Sequence, residues 1–151
     1  MKLPAGATGF GPSTQPRGRE DTREFLAACH AAARQTGATV TASQRAAVTP
    51  DFDAVVLAYE HEHVAALRHA LLNVVAFVQV PGDHVAPPLA FTDRPGLAQV
   101  LGEIGYQVLP AAELRQPTTS ADLSNLTAHE HEQIKYWKPE TVGELLFNYW
   151  D

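Results

Sequence analysis

Thr141-Val-Gly-Glu-Leu-Leu-Phe-Asn-Tyr-Trp-Asp151 carries the pattern of a short helix with its own start signal. Thr141 and Glu144, three residues apart, make a capping-box pair in which each side chain can satisfy an orphan amide at the helix start. At about 100° per residue, Val142, Leu145, Leu146 and Tyr149 fall on one side, flanked by Trp150 and, farther round, Phe147. Glu144, Asn148 and Asp151 share the opposite face. About two turns of helix do not hold in water alone. The segment is therefore expected to dock against the core of its own domain.

The chain upstream supplies that core. Thr127 with Glu130 is a second capping box, opening a helix to about Trp137. Lys138 precedes Pro139 and is biased out of helical geometry, so the chain turns there. Asp93 with Pro95 marks a helix start, with Leu97, Val100, Leu101 and Ile104 as its inward stripe and Gly105 as its stop. Leu89 to Thr92 and Tyr106 to Leu109 read as short strands. Val64 to Val80 fits a helical period in part. It is nevertheless long for one strand, and its Val-Val-Ala-Phe-Val run is strongly β. It reads as a hairpin, with Glu60 to His63 near its turn and a kink around Asn73. Asp53 to Glu60 is apolar on both faces until its end, as in a central strand. Ala38 to Ser43 alternates, with Thr39 and Thr41 on one face. Asp21 to Thr36 is a helix capped by Asp21 with Glu24, with Phe25, Leu26, Cys29, Ala32 and Ala33 inward and Gly37 as its stop. The reading is α+β. One domain over 21–151 holds a mostly antiparallel sheet of about four to five strands, an N-terminal helix, an inserted helix and two short C-terminal helices. Residues 1–20, rich in Gly and Pro, form an irregular arm that Phe10 could pin to the body.

Ile134-Lys-Tyr-Trp-Lys-Pro139, Thr141-Val-Gly-Glu144 and Phe147-Asn-Tyr-Trp-Asp151 resemble the ending of a family of small bacterial proteins of uncharacterised function. In that family an IKYWKP-type corner leads into a TVGE helix and a terminal FN-x-WD. The opening Thr8-Gly9-Phe10 is similar as well. The resemblance implies a shared α+β domain and transfers no catalytic residue.

Composition narrows the function classes. With 45% hydrophobic and 19% charged residues, the chain has the make-up of a globular domain. Its single cysteine, Cys29, excludes an internal disulfide and a cysteine-rich zinc site. No signal-type apolar run opens the chain, and Val64 to Val80 is too short and too polar to span a bilayer. A cytoplasmic protein without membrane contact is expected. Residues 1–50 carry six Lys/Arg against three Asp/Glu, and residues 51–151 carry five against fourteen, so the net −6 divides into +3 and −9. An acidic majority without a basic stripe argues against nucleic acid. It suits a basic protein partner, since opposite potentials speed encounter; a homodimer stays open. Solubility alone would explain the same charge.

Candidate sites follow from side-chain chemistry. The outer residues of the terminal helix, Glu144, Asn148 and Asp151, together with Trp137, are the candidate binding surface. Trp137, Tyr149 and Trp150 form either an exposed aromatic patch or the glue that docks the tail. In Glu60-His-Glu-His63 a strand would place His61 and His63 on one face, able to grip a divalent metal, with His69 as a further candidate. In a turn, the same four residues would simply face water. His129 and His131 lie about 200° apart on a helix and cannot chelate together. The leading expectation is a non-catalytic accessory or immunity-type protein that binds a partner through its acidic surface, without a resident cofactor. The alternative is a small metal-binding protein or enzyme using His61, His63 and His69.

Overall fold

In the computed structural model, residues 1–10, 19–47 and 49–150 are described. Strands β1 (Thr39–Gln44), β2 (Phe52–Ala58), β3 (His63–His69) and β4 (Val74–Val80) run as an antiparallel meander, and β5 (Ala90–Thr92) adds antiparallel to β4. Strand β6 (Gln107–Val108) pairs with the start of β4 in parallel, beyond the end of β5. The helices are α1 (Arg19–Thr36), α2 (Pro95–Ile104), α3 (Ala111–Leu114), α4 (Ala128–Trp137) and α5 (Val142–Leu146). The architecture is α+β in one body, and no helix among the described residues is long and apolar enough to cross a membrane.

Strands β2 to β4 are apolar on both faces because both faces are covered. Val55, Leu57, Val64, Ala66, Val75 and Phe77 meet Phe25, Cys29 and Ala32 of α1 and Leu97 and Leu101 of α2. On the other face, Phe52, Ala54, Val56, Leu67, Ala76 and Val78 meet the N-terminal arm and the C-terminal elements, including Leu114, Leu145, Leu146, Phe147 and Trp150. A single residue's alternation along each strand feeds two separate cores. Cys29 lies in the first of them, where burial, and after it the charge of Asp53, push its thiol up to about 12. It is packing, not a nucleophile. The same layer holds one ion pair: Asp53 and Arg68, opposite each other on β2 and β3, are both buried and bonded. The Thr22 hydroxyl and the Ala46 amide also donate to Asp53, and the Arg68 guanidinium lies over the Phe25 ring.

Several local expectations need correction. The hairpin expected within 64–80 is present as β3 and β4, but residues 70–73, where only a kink was expected, are its turn. The Tyr59–Glu62 turn, closed by the Tyr59 amide on the Glu62 carbonyl, joins β2 to β3 and extends the hairpin into a meander. Helix α1 begins at Arg19, so Asp21 sits within its first turn instead of capping it. At α2 the N-cap is Arg94, with no side-chain cap, while Asp93 accepts the amide of Ala111 at 2.9 Å. Arg94 instead pairs with Glu62 and covers Tyr59. The arm contributes more than Phe10: Leu3, Ala7 and Thr8 are buried. Its residues 11–18 lie outside the described ones.

The tightest contact is at Gly143. A Cβ there would run into the Phe91 ring and lie 3.0 Å from the Leu114 carbonyl oxygen. Gly102, within α2, has open space around it. Gly143→Ala is expected to cost about 1–3 kcal/mol in urea unfolding. Gly102→Ala is expected to be neutral or to stabilise by up to about 1 kcal/mol. Equal losses in the two variants would refute the close packing of α5 on β5.

Candidate binding site

The terminal helix is shorter than its periodicity suggested, and that relocates its polar residues. Thr141 caps it by accepting the Glu144 amide at 3.2 Å, but Glu144 accepts the amide of Glu140 instead of closing the capping box. Helix α5 stops at Leu146, and Phe147 already has φ −115° and ψ 87°. From there the helical wheel no longer applies. Asn148, expected beside Glu144 on an exposed face, is buried, whereas Glu144 is exposed. Asp151 lies outside the described residues.

Asn148 belongs to a buried network. Its side-chain amide donates to the carbonyls of Thr8 and Leu145, each at 2.9 Å, and its oxygen accepts the Trp150 amide. Its backbone exchanges bonds with Asp51: the Asn148 amide donates to Oδ1 at 2.9 Å, and the Asp51 amide donates to the Asn148 carbonyl. Thr8 leads on to Glu130, whose carboxylate accepts the amides of Gly6 and Thr8, the Thr8 hydroxyl at 2.7 Å and the amide of Thr127. Burial pushes the Glu130 carboxyl up, but these donors outweigh it and hold it below its ordinary value. The expected capping box at Thr127 is present, and the same glutamate also anchors the arm.

His69 sits at the centre of this layer with no exposure. Its Nδ1 accepts the amides of Leu71 and Leu72, which leaves Nε2 as the donor to the Ala7 carbonyl at 2.8 Å. Asp51 Oδ2 lies 3.4 Å from Nε2, is buried and has no hydrogen-bond partner. Gly9 closes over it, since a Cβ there would lie 2.9 Å from the Asp51 Cβ. Burial raises the Asp51 carboxyl to about 6 against the opposing pull of His69 and the Asn148 amide. Burial, and then the charge of Asp51, raise the Tyr149 phenol.

These positions separate the proposed metal ligands. His63 and His69 stand at opposite ends of β3, six residues or about 20 Å apart. His61 lies in the Tyr59–Glu62 turn, where strand alternation does not hold, and its imidazole is 3.7 Å from Glu60. His63 faces Asp83 at 3.7 Å. Among the described residues, no three His, Cys, Asp or Glu side chains gather as metal ligands.

A different feature gathers side chains from distant parts of the chain. A cleft of about 880 Å³ runs between β5 with the preceding Pro87-Pro88-Leu89 and the corner from Trp137 to Trp150. Phe91, Trp137, Phe147, Tyr149 and Trp150 supply its aromatic surface. Trp137 stacks parallel to Trp150 with centroids 6.1 Å apart, and its indole N–H donates to Gln133. So the aromatic cluster does both jobs: Trp150 is buried glue, while Trp137 and its neighbour Tyr136 stay exposed. Lys138, with φ 52° and ψ 59°, forms the left-handed corner that swings α4 into this position. Charged groups at the cleft are Arg115, Lys138 and Glu144. Arg115 donates to the Phe91 carbonyl at 2.6 Å, covering the outer edge of β5. Of the residues proposed from sequence for binding, Trp137 and Glu144 line the cleft openly and Asn148 forms part of its floor. Arg115, Lys138 and the β5 side were missed. Only the Pro87-Pro88 break and Lys138-Pro139 hinted at corners there.

Compared with protein-family models, curated proteins and solved structures, the chain matches none.

Asp51 and Glu130 give opposite pH dependences. Asp51 is raised from 3.8 to about 6, so the native state binds the extra proton and this group's contribution falls as pH rises through that window. Glu130 is lowered from 4.5, so its contribution is present above about pH 4.5 and is lost as pH falls through the lower native value. Asp51→Asn keeps an acceptor for the Asn148 amide and removes the charge. Relative to the parent, it is expected to gain stability between about pH 4 and 7, by up to about 3 kcal/mol, in urea titrations. A parallel pair of pH profiles would refute the assignment.

Proposed function

We propose that this domain is a non-catalytic protein-binding module of accessory or immunity type, with the aromatic cleft as its contact surface. The observation that carries the reading is the cleft itself. It presents aromatic anchors, which dominate binding energy at protein interfaces, around a concavity large enough for several side chains. Tyr136, 76% exposed and edge-on to Trp137, extends the same surface outward.

The acidic exterior supports the reading at longer range. Asp51, Asp53, Glu130 and Arg68 are buried, so the described residues 51–150 keep ten unburied acids against four bases, or −6 in place of −8. That charge draws in a partner of net basic character and fixes no contact by itself. The metal-binding alternative loses its geometric basis with the separation of His63 from His69.

A photoreactive residue tests this directly. With p-benzoylphenylalanine at Tyr136, ultraviolet irradiation of host cells is expected to give a discrete covalent adduct with another protein. The same residue at Arg34, exposed on α1 across the sheet, is expected to give none. No adduct at Tyr136, or identical adducts at both positions, would sink the proposal.

A further inference from the structure

We infer that the cleft takes a short segment of the protein partner in which an apolar side chain stands beside a carboxylate, the carboxylate being held by Arg115 and Lys138. The inference rests on the protein-binding reading above and adds the chemistry of the segment. It begins with where the cations are. Residues 51–151 keep only Arg94, Arg115, Lys135 and Lys138 as unburied bases. Arg94 is committed to Glu62. Arg115 and Lys138 both line the aromatic cleft, and Lys135 lies on α4, one turn before Lys138. Within residues 51–150, two of the three unburied bases not paired with a carboxylate therefore stand where aromatic rings are also grouped.

The local arrangement favours an anion over a cation. Only one of the guanidinium donors of Arg115 is used, by the Phe91 carbonyl, which leaves further N–H groups for a planar acceptor. That bond also fixes the direction of the fork, so less freedom is lost when a carboxylate arrives. Lys138 is exposed in its left-handed corner. The cleft's own carboxylate, Glu144, is occupied by the Glu140 amide through Oε2 and leaves two cations against one anion. Beside these charges, Phe91, Trp137 and Tyr149 provide a surface for an apolar side chain.

A net basic partner with one acidic docking segment then meets an acidic C-terminal part whose cleft is locally cationic. The long-range attraction brings the two together, and the local reversal of sign sets the position, because any shifted register places like charges together.

The chain has two tryptophans, Trp137 and Trp150, and both line this cleft, so intrinsic fluorescence reads its occupancy without background. The probe is the peptide acetyl-Asp-Leu-Phe-Asp-amide, titrated against the full chain up to about 5 mM, a concentration that detects even weak binding. A saturable change in emission is expected. The isosteric acetyl-Asn-Leu-Phe-Asn-amide is expected to bind about tenfold or more weakly, and about 0.5 M salt to weaken the acidic peptide selectively. Lys138→Gln, whose side chain supports no other element, is expected to lose several-fold in affinity for the acidic peptide and nothing for the amide peptide. Arg115→Gln is expected to do the same, with unfolding midpoints reported alongside because it also releases Phe91. Equal binding of the two peptides, or no change in emission with either, overturns the inference. So does 3-phenylpropionate binding as tightly as the peptide, which would assign the cleft to a small carboxylic acid. A Tyr136 adduct obtained together with any of these failures leaves the protein partner standing and removes only the acidic segment.

Discussion

The C-terminal half of the molecule depends on one buried carboxylate. Glu130 caps its own helix and accepts the amides of Gly6 and Thr8 together with the Thr8 hydroxyl. Thr8 in turn gives its carbonyl to Asn148. A buried charge is tolerable only when several donors surround it. Here the donors come from the first ten residues and the acceptor from α4, so neither segment can settle without the other. Asn148 extends the tie to Asp51 at the entry to β2, and Asp51 meets His69 at the exit of β3. The face of the sheet opposite α1 is thus closed by polar bonds at its rim and by Phe147, Leu145 and Leu146 at its centre.

This network brings the N-terminal arm and the C-terminal tail together. Thr8-Gly9-Phe10 and Phe147–Trp150 are far apart in sequence, yet they touch through the Thr8 carbonyl and the Asn148 amide. Gly9 must be small because an added Cβ would lie 2.9 Å from the Asp51 Cβ, and Asn148 must carry both a donor and an acceptor to serve Thr8, Leu145 and Trp150. The physical demand on these residues is structural. The cleft is a by-product of the same corner, since Lys138 turns α4 so that Trp137 meets Trp150.

Much of the fold was legible in sequence because it was written in local periods. The doubly apolar β2, the Thr127–Glu130 cap, the Gly37 and Gly105 stops and the turn at Lys138-Pro139 each follow from a few neighbouring residues. Most of the failures share a cause. Asp93 and Asn148 are polar residues whose local patterns suggested a cap and an exposed face, while their actual places depend on segments elsewhere in the chain, and Asp21 sits inside a helix that starts earlier than its pattern implied. His61, His63 and His69 looked like a cluster because strand alternation was carried through a turn. The cleft was invisible for a related reason: Phe91, Arg115, Trp137 and Trp150 come from separate elements, and no spacing rule links them.

Arg115 has one more effect through its bond to the Phe91 carbonyl. Sheets grow from one molecule to the next through open rims of amides and carbonyls. On this molecule β5 is three residues long, with a guanidinium over its outer carbonyl, and at the far rim β1 slips register between Val40 and Ala42. Each device spoils the flat, continuous ladder that a neighbour would need. Copies of the domain are thereby discouraged from fusing into a common ribbon.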